Sequence, residues 1–276
     1  MKIVRYLDRK GELGFGQLKE DEVCRIRQKE DGGFEPTDEV TEVAKMLTPV
    51  DFRCIYCVAI NYREHAAESE AEAPEYPVIF MKAPTAIQDP LSPIVLPRHL
   101  PSSKVDFEGE LAVVIGRPCK NVARGEAMDY VLGYSCANDV SARDWQKEKG
   151  GGQFCRGKTF DTFCPIGPCL VTTDEINDPN ALSLRTTVSD EIMQEASTAE
   201  MIFDVPTLIE FLSGSTTLLP GTVILTGTPS GVGAARDPQR FLQPGDEVSV
   251  EIEGIGKLTN PVVEESLADE DLEEEG

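Results

Sequence analysis

Residues 106–115 read Asp-Phe-Glu-Gly-Glu-Leu-Ala-Val-Val-Ile, with three acids at alternate positions running straight into five apolar residues. An unbroken apolar run of that length suits a strand buried in a sheet. Residues two apart in a strand share a face, so Asp106, Glu108 and Glu110 point one way while Phe107 and Leu111 point the other. Carboxylates at that spacing repel one another and need a proton, a basic side chain or a cation to neutralise them. Either the strand end opens to solvent, or the chain supplies a compensating partner from elsewhere.

The rest of the chain is organised around similar short runs. Val131–Asn138 and Val223–Thr226 read as strands, Cys54–Ile60 as a buried one, and residues 1–30 as short strands broken at Gly11, Gly14 and Gly16. Helical patterns are expected around Val43–Leu47, from Asn61 through His65 and Glu68 to before Pro74, at Ser141–Lys149 and at Val205–Leu212. Asn61 and Glu64 have the spacing of a capping box. Strands outnumber helices at irregular spacing, with many Gly and Pro turns. The expected fold is therefore a β-dominated α+β architecture, a sandwich or roll. Pro49 marks a boundary. The expected organisation is a small β-rich N-terminal subdomain over residues 1–50, a main domain over 51–265, and an acidic tail over 266–276, solvated and disordered.

Of 276 residues, 26 are basic and 49 acidic, a formal charge of −23. The stretch 264–276 holds eight of the acids; removing them from −23 leaves −15, so the body is acidic in its own right. Such a chain lacks the basic face that nucleic acid or an anionic membrane requires. No stretch approaches the roughly 18–20 apolar residues of a membrane span. The start, MKIVRYLDRKGELGFG, has neither an apolar signal region nor the acid-poor character of a transit peptide, so a cytoplasmic location is expected. Eight cysteines, several inside apolar runs such as Cys54-Ile-Tyr-Cys57-Val, read as reduced core thiols.

A second acidic element lies at Tyr134-Ser-Cys-Ala-Asn138-Asp139-Val-Ser141-Ala-Arg143-Asp144, where an apolar strand gives way to a helical pattern. Asp139 is either a helix cap or a third carboxylate facing Glu108 and Glu110. In the second case the all-oxygen set suits a hard cation, Mg²⁺ or Mn²⁺. With only two histidines, His65 and His99, and no paired Cys-x-x-Cys, a zinc site has little material. His65 and Glu68, three apart on one helix face, are a surface ion pair or a general base with its orienting carboxylate. Lys158, alone in an uncharged neighbourhood, is a surface lysine or a group that meets a substrate carboxylate or an enolate. Thr226-Gly-Thr228-Pro-Ser-Gly231-Val-Gly233 follows a strand and is a tight turn or a loop whose backbone N–H groups meet an anion.

Taken together, Asn61-Tyr-Arg-Glu-His65-Ala-Ala-Glu68, Asp106-Phe-Glu108-Gly-Glu110-Leu, Asn138-Asp139-Val-Ser-Ala-Arg143-Asp144, Gly157-Lys158-Thr-Phe-Asp161, Met201-Ile-Phe203 and Thr226–Gly233 resemble the fumarylacetoacetate hydrolase family in order and spacing, from about residue 52 to residue 260. The resemblance implies a mixed β-roll, a homodimer, and one Mg²⁺ or Mn²⁺ held by Glu108, Glu110 and Asp139. It also implies that His65 and Glu68 form a base dyad, that Lys158 adds to the catalytic set, and that Arg143, Gln146 and Thr228 contact the substrate. The long matches Ser141–Gln146 and Gly157–Pro165 look most like the branch containing oxaloacetate tautomerases, beside acylpyruvate hydrolases and oxaloacetate decarboxylases. The chain departs from the family pattern at Ala59-Ile-Asn61-Tyr62, Val188-Ser189-Asp190 and Ser197-Thr198, none of which removes a metal ligand or a dyad member.

The expected function is therefore a metal-dependent enzyme acting on small 2-oxo acids through a stabilised enolate, first as an oxaloacetate keto–enol tautomerase. The alternatives are C–C hydrolysis of acylpyruvates or related β-diketones, oxaloacetate decarboxylation, and a catalytically silent binding homologue.

Overall fold

The computed structural model describes residues 1–20, 22–28 and 34–266. The acidic tail expected over 266–276 lies, apart from Ser266, outside the described residues.

The architecture is strand-dominated and mixed, as the patterning requires. Ten strands hydrogen-bond in the order Phe34–Thr41, Glu22–Gln28, Leu13–Lys19, Lys2–Asp8, Cys164–Thr172, Val131–Asn138, Gly109–Ile115, Thr222–Leu225, Cys54–Ala59 and Val78–Lys82, with Val43–Leu47 and Ile87–Gln88 attached beside the path. Most pairs are antiparallel; Thr222–Leu225 runs parallel to Cys54–Ala59. A second sheet orders Glu191–Ser197, Ser183–Val188, Glu247–Ile252, Gly256–Glu264 and Ile94–Leu96. The N-terminal strands are continuous with the large sheet, because Lys2 and Ile3 pair with Val171 and Leu170.

Gly109–Ile115 lies at the centre, paired on one side with Val131–Asn138 and on the other with Thr222–Leu225. Every residue in it is buried, which explains why its sequence is apolar without alternation. The period of two still sorts its side chains. Leu111, Val113 and Ile115 pack with Leu184, Val250 and Ile252 of the second sheet and with Leu208 and Ile209 of the Val205–Ser213 helix. Ala112 and Val114 pack on the opposite face with Ile3, Ile55, Ile166 and Val223. Glu110 shares the face of Ala112 and Val114.

Three local expectations are corrected. The strand expected over Asp106–Gly116 is broken: Val105–Asp106 pairs with Ser141–Ala142, and the long strand resumes at Gly109. The Glu108 amide donates to Asn138 Oδ1 and its carbonyl accepts from the Asp139 amide, which pins the kink. Val43–Leu47 is a strand paired with Lys2–Asp8, not a helix; five residues are too few to repay helix nucleation when a strand edge offers its hydrogen bonds. Ser141–Lys149 begins as that short strand; the chain turns helical at Arg143 and Asp144, and Trp145–Lys149 forms a π-helical turn. The helix Val205–Ser213 appears where expected, capped by Asp204 Oδ1 accepting from the Thr207 amide at 3.0 Å.

The capping box at Asn61 also gives way to a different arrangement. The helix Arg63–Glu68 starts after Tyr62 with no side-chain cap. Asn61 is fully buried, donating from Nδ2 to Phe203 O (3.0 Å) and Thr226 O (2.7 Å) and accepting at Oδ1 from the Phe203 amide (2.8 Å). It clamps three loops whose backbone groups would otherwise be buried unpaired. Asn61→Ala is expected to cost on the order of 2–4 kcal/mol, read as a lower midpoint with unchanged slope in urea unfolding.

Candidate active site

The kink at residues 107–108, the end of Val131–Asn138 and the loop after Thr222–Leu225 converge on one buried cluster of charge. Glu108, Glu110 and Asp139 each offer an oxygen, and these three atoms lie within 4.8 Å of one another. All three side chains are buried. Asp139 is therefore not a helix cap, and the strand end does not open to solvent. Asp106, expected on the same face, is turned away by the kink. It accepts from Arg143 Nε (2.8 Å), the Phe107 amide (2.9 Å) and the amides of Gly233 (2.8 Å) and Ala234 (3.0 Å).

The cations that answer this charge come from three other segments. Lys158, at the end of the short helix Phe154–Lys158, is buried and not a surface lysine; its Nζ sits 2.6 Å from Glu108 Oε2 and 2.7 Å from Asp139 Oδ2. Arg143 Nη1 contacts Glu108 Oε1 at 2.6 Å and donates to Gln146 Oε1 at 3.0 Å. Lys82 Nζ stands 2.6 Å from Asp139 Oδ1. Glu110 has no cation within ion-pair distance among the described residues; it accepts only from the Gly227 amide, at 2.7 Å.

The acidities follow from these partners. Burial opposes ionisation of Glu108, but the Lys158 and Arg143 charges outweigh it and hold the carboxyl well below its ordinary value. Burial, reinforced by the charges of Asp139 and Glu108, pushes Glu110 well above its ordinary value of 4.5. Burial likewise opposes the Lys158 charge, but the carboxylates of Asp139 and Glu108 outweigh it and hold the ammonium's pKa above its ordinary value.

The donor set fits a hard divalent cation on the chemistry of its atoms. Three carboxylates converge, Glu110 lacks a counter-charge, and Asp139 Oδ1 makes no hydrogen bond although Lys82 is close. An ion held there would share Glu108 and Asp139 with the Lys158 ammonium, each carboxylate having lone pairs for both.

In front of the cluster is a cavity of about 370 Å³, whose wall includes His65, Glu68, Glu108, Arg143, Gln146, Lys158 and Thr228. Glu110 and Asp139 lie behind this wall. His65 Nδ1 meets Glu68 Oε1 at 2.7 Å, and Glu68 Oε2 accepts from the Gly231 amide at 2.8 Å. A carboxylate only accepts, so this pairing puts the imidazole proton on Nδ1 and leaves Nε2 as the basic atom. The surface-pair reading of these two residues fails, because His65 is buried. Gly231 has φ +100°, and a Cβ there would stand 2.2 Å from Met193 O, so only glycine brings this amide to Glu68. The loop's N–H groups do meet anions, but the anions are the protein's own Glu110, Glu68 and Asp106. Thr228 donates to Gly109 O (3.0 Å) and accepts from Gln194 Nε2 (2.7 Å), which commits its hydroxyl proton to the fold. Arg143 Nη2 is buried with no partner, a donor left for a ligand.

Two residues of this centre were not singled out in the sequence. Lys82 closes the apolar strand VIFMK, where a lone lysine was the available signal. Gln194, which holds the Gly109 amide (2.9 Å), Thr228 and Pro229 O (2.9 Å), gave none.

Because Glu110 is raised, the folded state binds its proton more tightly than the unfolded chain. Its stabilising effect is complete below pH 4.5 and is lost as pH rises through the folded value. Glu110→Gln is expected to raise the midpoint of thermal unfolding of the metal-free protein at pH 7, by about 2–4 °C per kcal/mol recovered. That gain should shrink toward pH 4.5, and divalent ions should no longer stabilise the variant. Differential scanning calorimetry across pH, with and without Mg²⁺, checks this.

Comparison with known proteins bears on the same segments. Residues 54–263 match the family described as fumarylacetoacetate (FAA) hydrolase C-terminal. The chain is 48% identical over 209 residues to the mitochondrial oxaloacetate tautomerase fahd2 of Xenopus laevis, covering 76% of this chain and 65% of that protein. It is 46% identical over 228 residues to the mitochondrial oxaloacetate tautomerase FAHD2A of Bos taurus, covering 83% and 71%. It thus spans about two thirds of the length of these relatives. Among solved structures, a 2-hydroxyhepta-2,4-diene-1,7-dioate isomerase from Mycobacterium marinum superposes with a TM-score of 0.83 at 42% identity, over 97% of this chain and all of that one. Among the described residues no helix is long and apolar enough to cross a membrane. The match over residues 54–263, with the mixed strand architecture it covers, establishes that the chain belongs to the fumarylacetoacetate hydrolase family.

Proposed function

We propose that this protein is a divalent-metal-dependent enzyme acting on small 2-oxo acids, and that its reaction is the keto–enol tautomerisation of oxaloacetate. The observation that carries the reading is a buried carboxylate trio set at one cavity, whose wall holds Glu108 of the trio, an oriented histidine and an unpartnered arginine N–H. The names borne by the frog and bovine relatives favour oxaloacetate among the family's substrates.

Glu108, Glu110 and Asp139 would hold Mg²⁺ or Mn²⁺, the cations suited to an all-carboxylate set. When bound, such an ion supplies Lewis-acid stabilisation of enolate charge. The remaining chemistry belongs to the chain. Arg143 Nη2 binds the substrate carboxylate, and Gln146, hydrogen-bonded to Arg143, fixes the direction of that contact. His65 Nε2 takes a proton from C3 of the keto form and, as the imidazolium, gives it to the C2 oxygen, which yields the enol and restores the neutral imidazole; the reverse reaction runs through the same groups. Glu68, tied to the Gly231 amide, holds the imidazole in place and stabilises its cation. Lys158 adds positive charge next to the developing oxyanion. Val58, Phe80, Phe154 and Val232 give the cavity an apolar side that keeps water from the enolate.

The test is the decay of enol-oxaloacetate absorbance with purified protein. Loss of the enol signal without pyruvate formation, abolished by EDTA and restored by Mg²⁺, is the expected result. Accumulation of pyruvate would reassign the site to decarboxylation, and acid products from an acylpyruvate to C–C hydrolysis. His65→Asn should lower kcat by about 10²- to 10⁴-fold with little change in KM.

A further inference from the structure

Lys82 is a buried cation whose side chain is fully shielded from solvent. The Nζ donates to three backbone carbonyls, Val140 O at 3.0 Å, Lys158 O at 2.6 Å and Phe163 O at 2.8 Å. An ammonium has three protons, and these three acceptors use all of them. The fourth neighbour, Asp139 Oδ1 at 2.6 Å, is therefore held by charge alone, and it makes no hydrogen bond.

We infer that Lys82 is a positioning residue for the ion site: its trident fixes the main chain on both sides of the cluster and leaves Asp139 Oδ1 free to ligate. Val140 follows Asp139 directly, so the first carbonyl sets the register of that ligand. The second carbonyl belongs to Lys158, whose own ammonium bridges Glu108 and Asp139. The third holds the turn that returns the chain from Lys158 to the sheet at Cys164. One buried ammonium thus couples two of the three acidic ligands to the strand Val78–Lys82. Neutral side chains that fill the same space cannot donate three times, and arginine cannot place its planar fork where a tetrahedral ammonium sits.

The inference rests on the reading of the trio as an ion site, and the sign of the effect separates positioning from simple charge balance. A cation next to an ion site repels the incoming ion, so if Lys82 acted only through its charge, removing it would tighten binding. If Lys82 acts by position, removing it loosens binding, by the roughly 10- to 100-fold typical of supporting residues around metal ligands. Mn²⁺ affinity, followed by electron paramagnetic resonance of the free ion, reads this directly. Lys82→Met and Lys82→Arg are both expected to weaken Mn²⁺ binding at least 10-fold, the second despite keeping the charge. Tighter or unchanged binding in Lys82→Met, or wild-type affinity in Lys82→Arg, would overturn the inference while leaving the ion site intact. No Mn²⁺ binding by the wild type would remove the site and the inference together. Should neither variant fold, ¹⁵N-lysine labelling of the wild type decides: the ammonium signal of Lys82, the slowly exchanging one that survives in Lys158→Gln, must stay protected when Mg²⁺ is added. Exchange as fast as that of surface lysines would refute the trident.

Discussion

At the centre of this fold four carboxylates, Asp106, Glu108, Glu110 and Asp139, are buried together with three cations, Lys82, Arg143 and Lys158. Burying charge without partners costs far more than a domain of this size has to spare, so the local structure is dictated by the need to pair these groups. The kink at Phe107–Glu108 sends Asp106 to Arg143 and two loop amides while keeping Glu108 with Lys158. The glycines of the 226–233 loop bring backbone N–H groups to Glu110, Glu68 and Asp106, where side chains would not fit. The pairing is complete but for one negative charge. Glu110 is left with a single amide and, among the described residues, no cation within ion-pair distance.

That imbalance links stability to function. Carboxylates held this close together are strained by like charge, and in the proposed reading a bound divalent ion would relieve that strain while supplying the Lewis acid. The remaining machinery is placed by the fold at little further cost. The helix Arg63–Glu68 is only six residues long and carries no side-chain cap; its orientation comes from the buried Asn61 clamp before it and from Glu68 bonding to Gly231. His65 is thereby aimed at the cavity by groups on three separate segments, so its imidazole is held in place without a long helix.

Much of this was legible in the amino-acid pattern, and what was missed has a common cause. The alternation of Asp106, Glu108 and Glu110 ahead of Leu111–Ile115 set carboxylates against a buried strand, with solvent or a partner left as the two outcomes, and the His65–Glu68 spacing put those two side chains on one helix face; both are properties of neighbours in sequence. The kink was not legible, because it is made by Asn138 and Asp139 reaching across from another strand. Asn61 carried a convincing local signal, Asn followed three residues later by Glu, yet its side chain is taken by Phe203 and Thr226, far along the chain. Val43–Leu47 reads as helix in isolation and is a strand because Lys2–Asp8 offers an edge. Lys82 and Gln194 act through backbone carbonyls and amides of distant segments, which leave no mark on the pattern of either partner. Local periodicity reported the elements and the charged groups; long-range hydrogen bonds decided how the charges are shared.

The most direct measurement is anomalous diffraction from crystals equilibrated with Mn²⁺. The account predicts one strong peak bonded to carboxylate oxygens of Glu108, Glu110 and Asp139 together, with Lys158 still touching the ligands. Saturating Mn²⁺ with no density between those side chains, and the Lys158 ammonium alone bridging them, would contradict it.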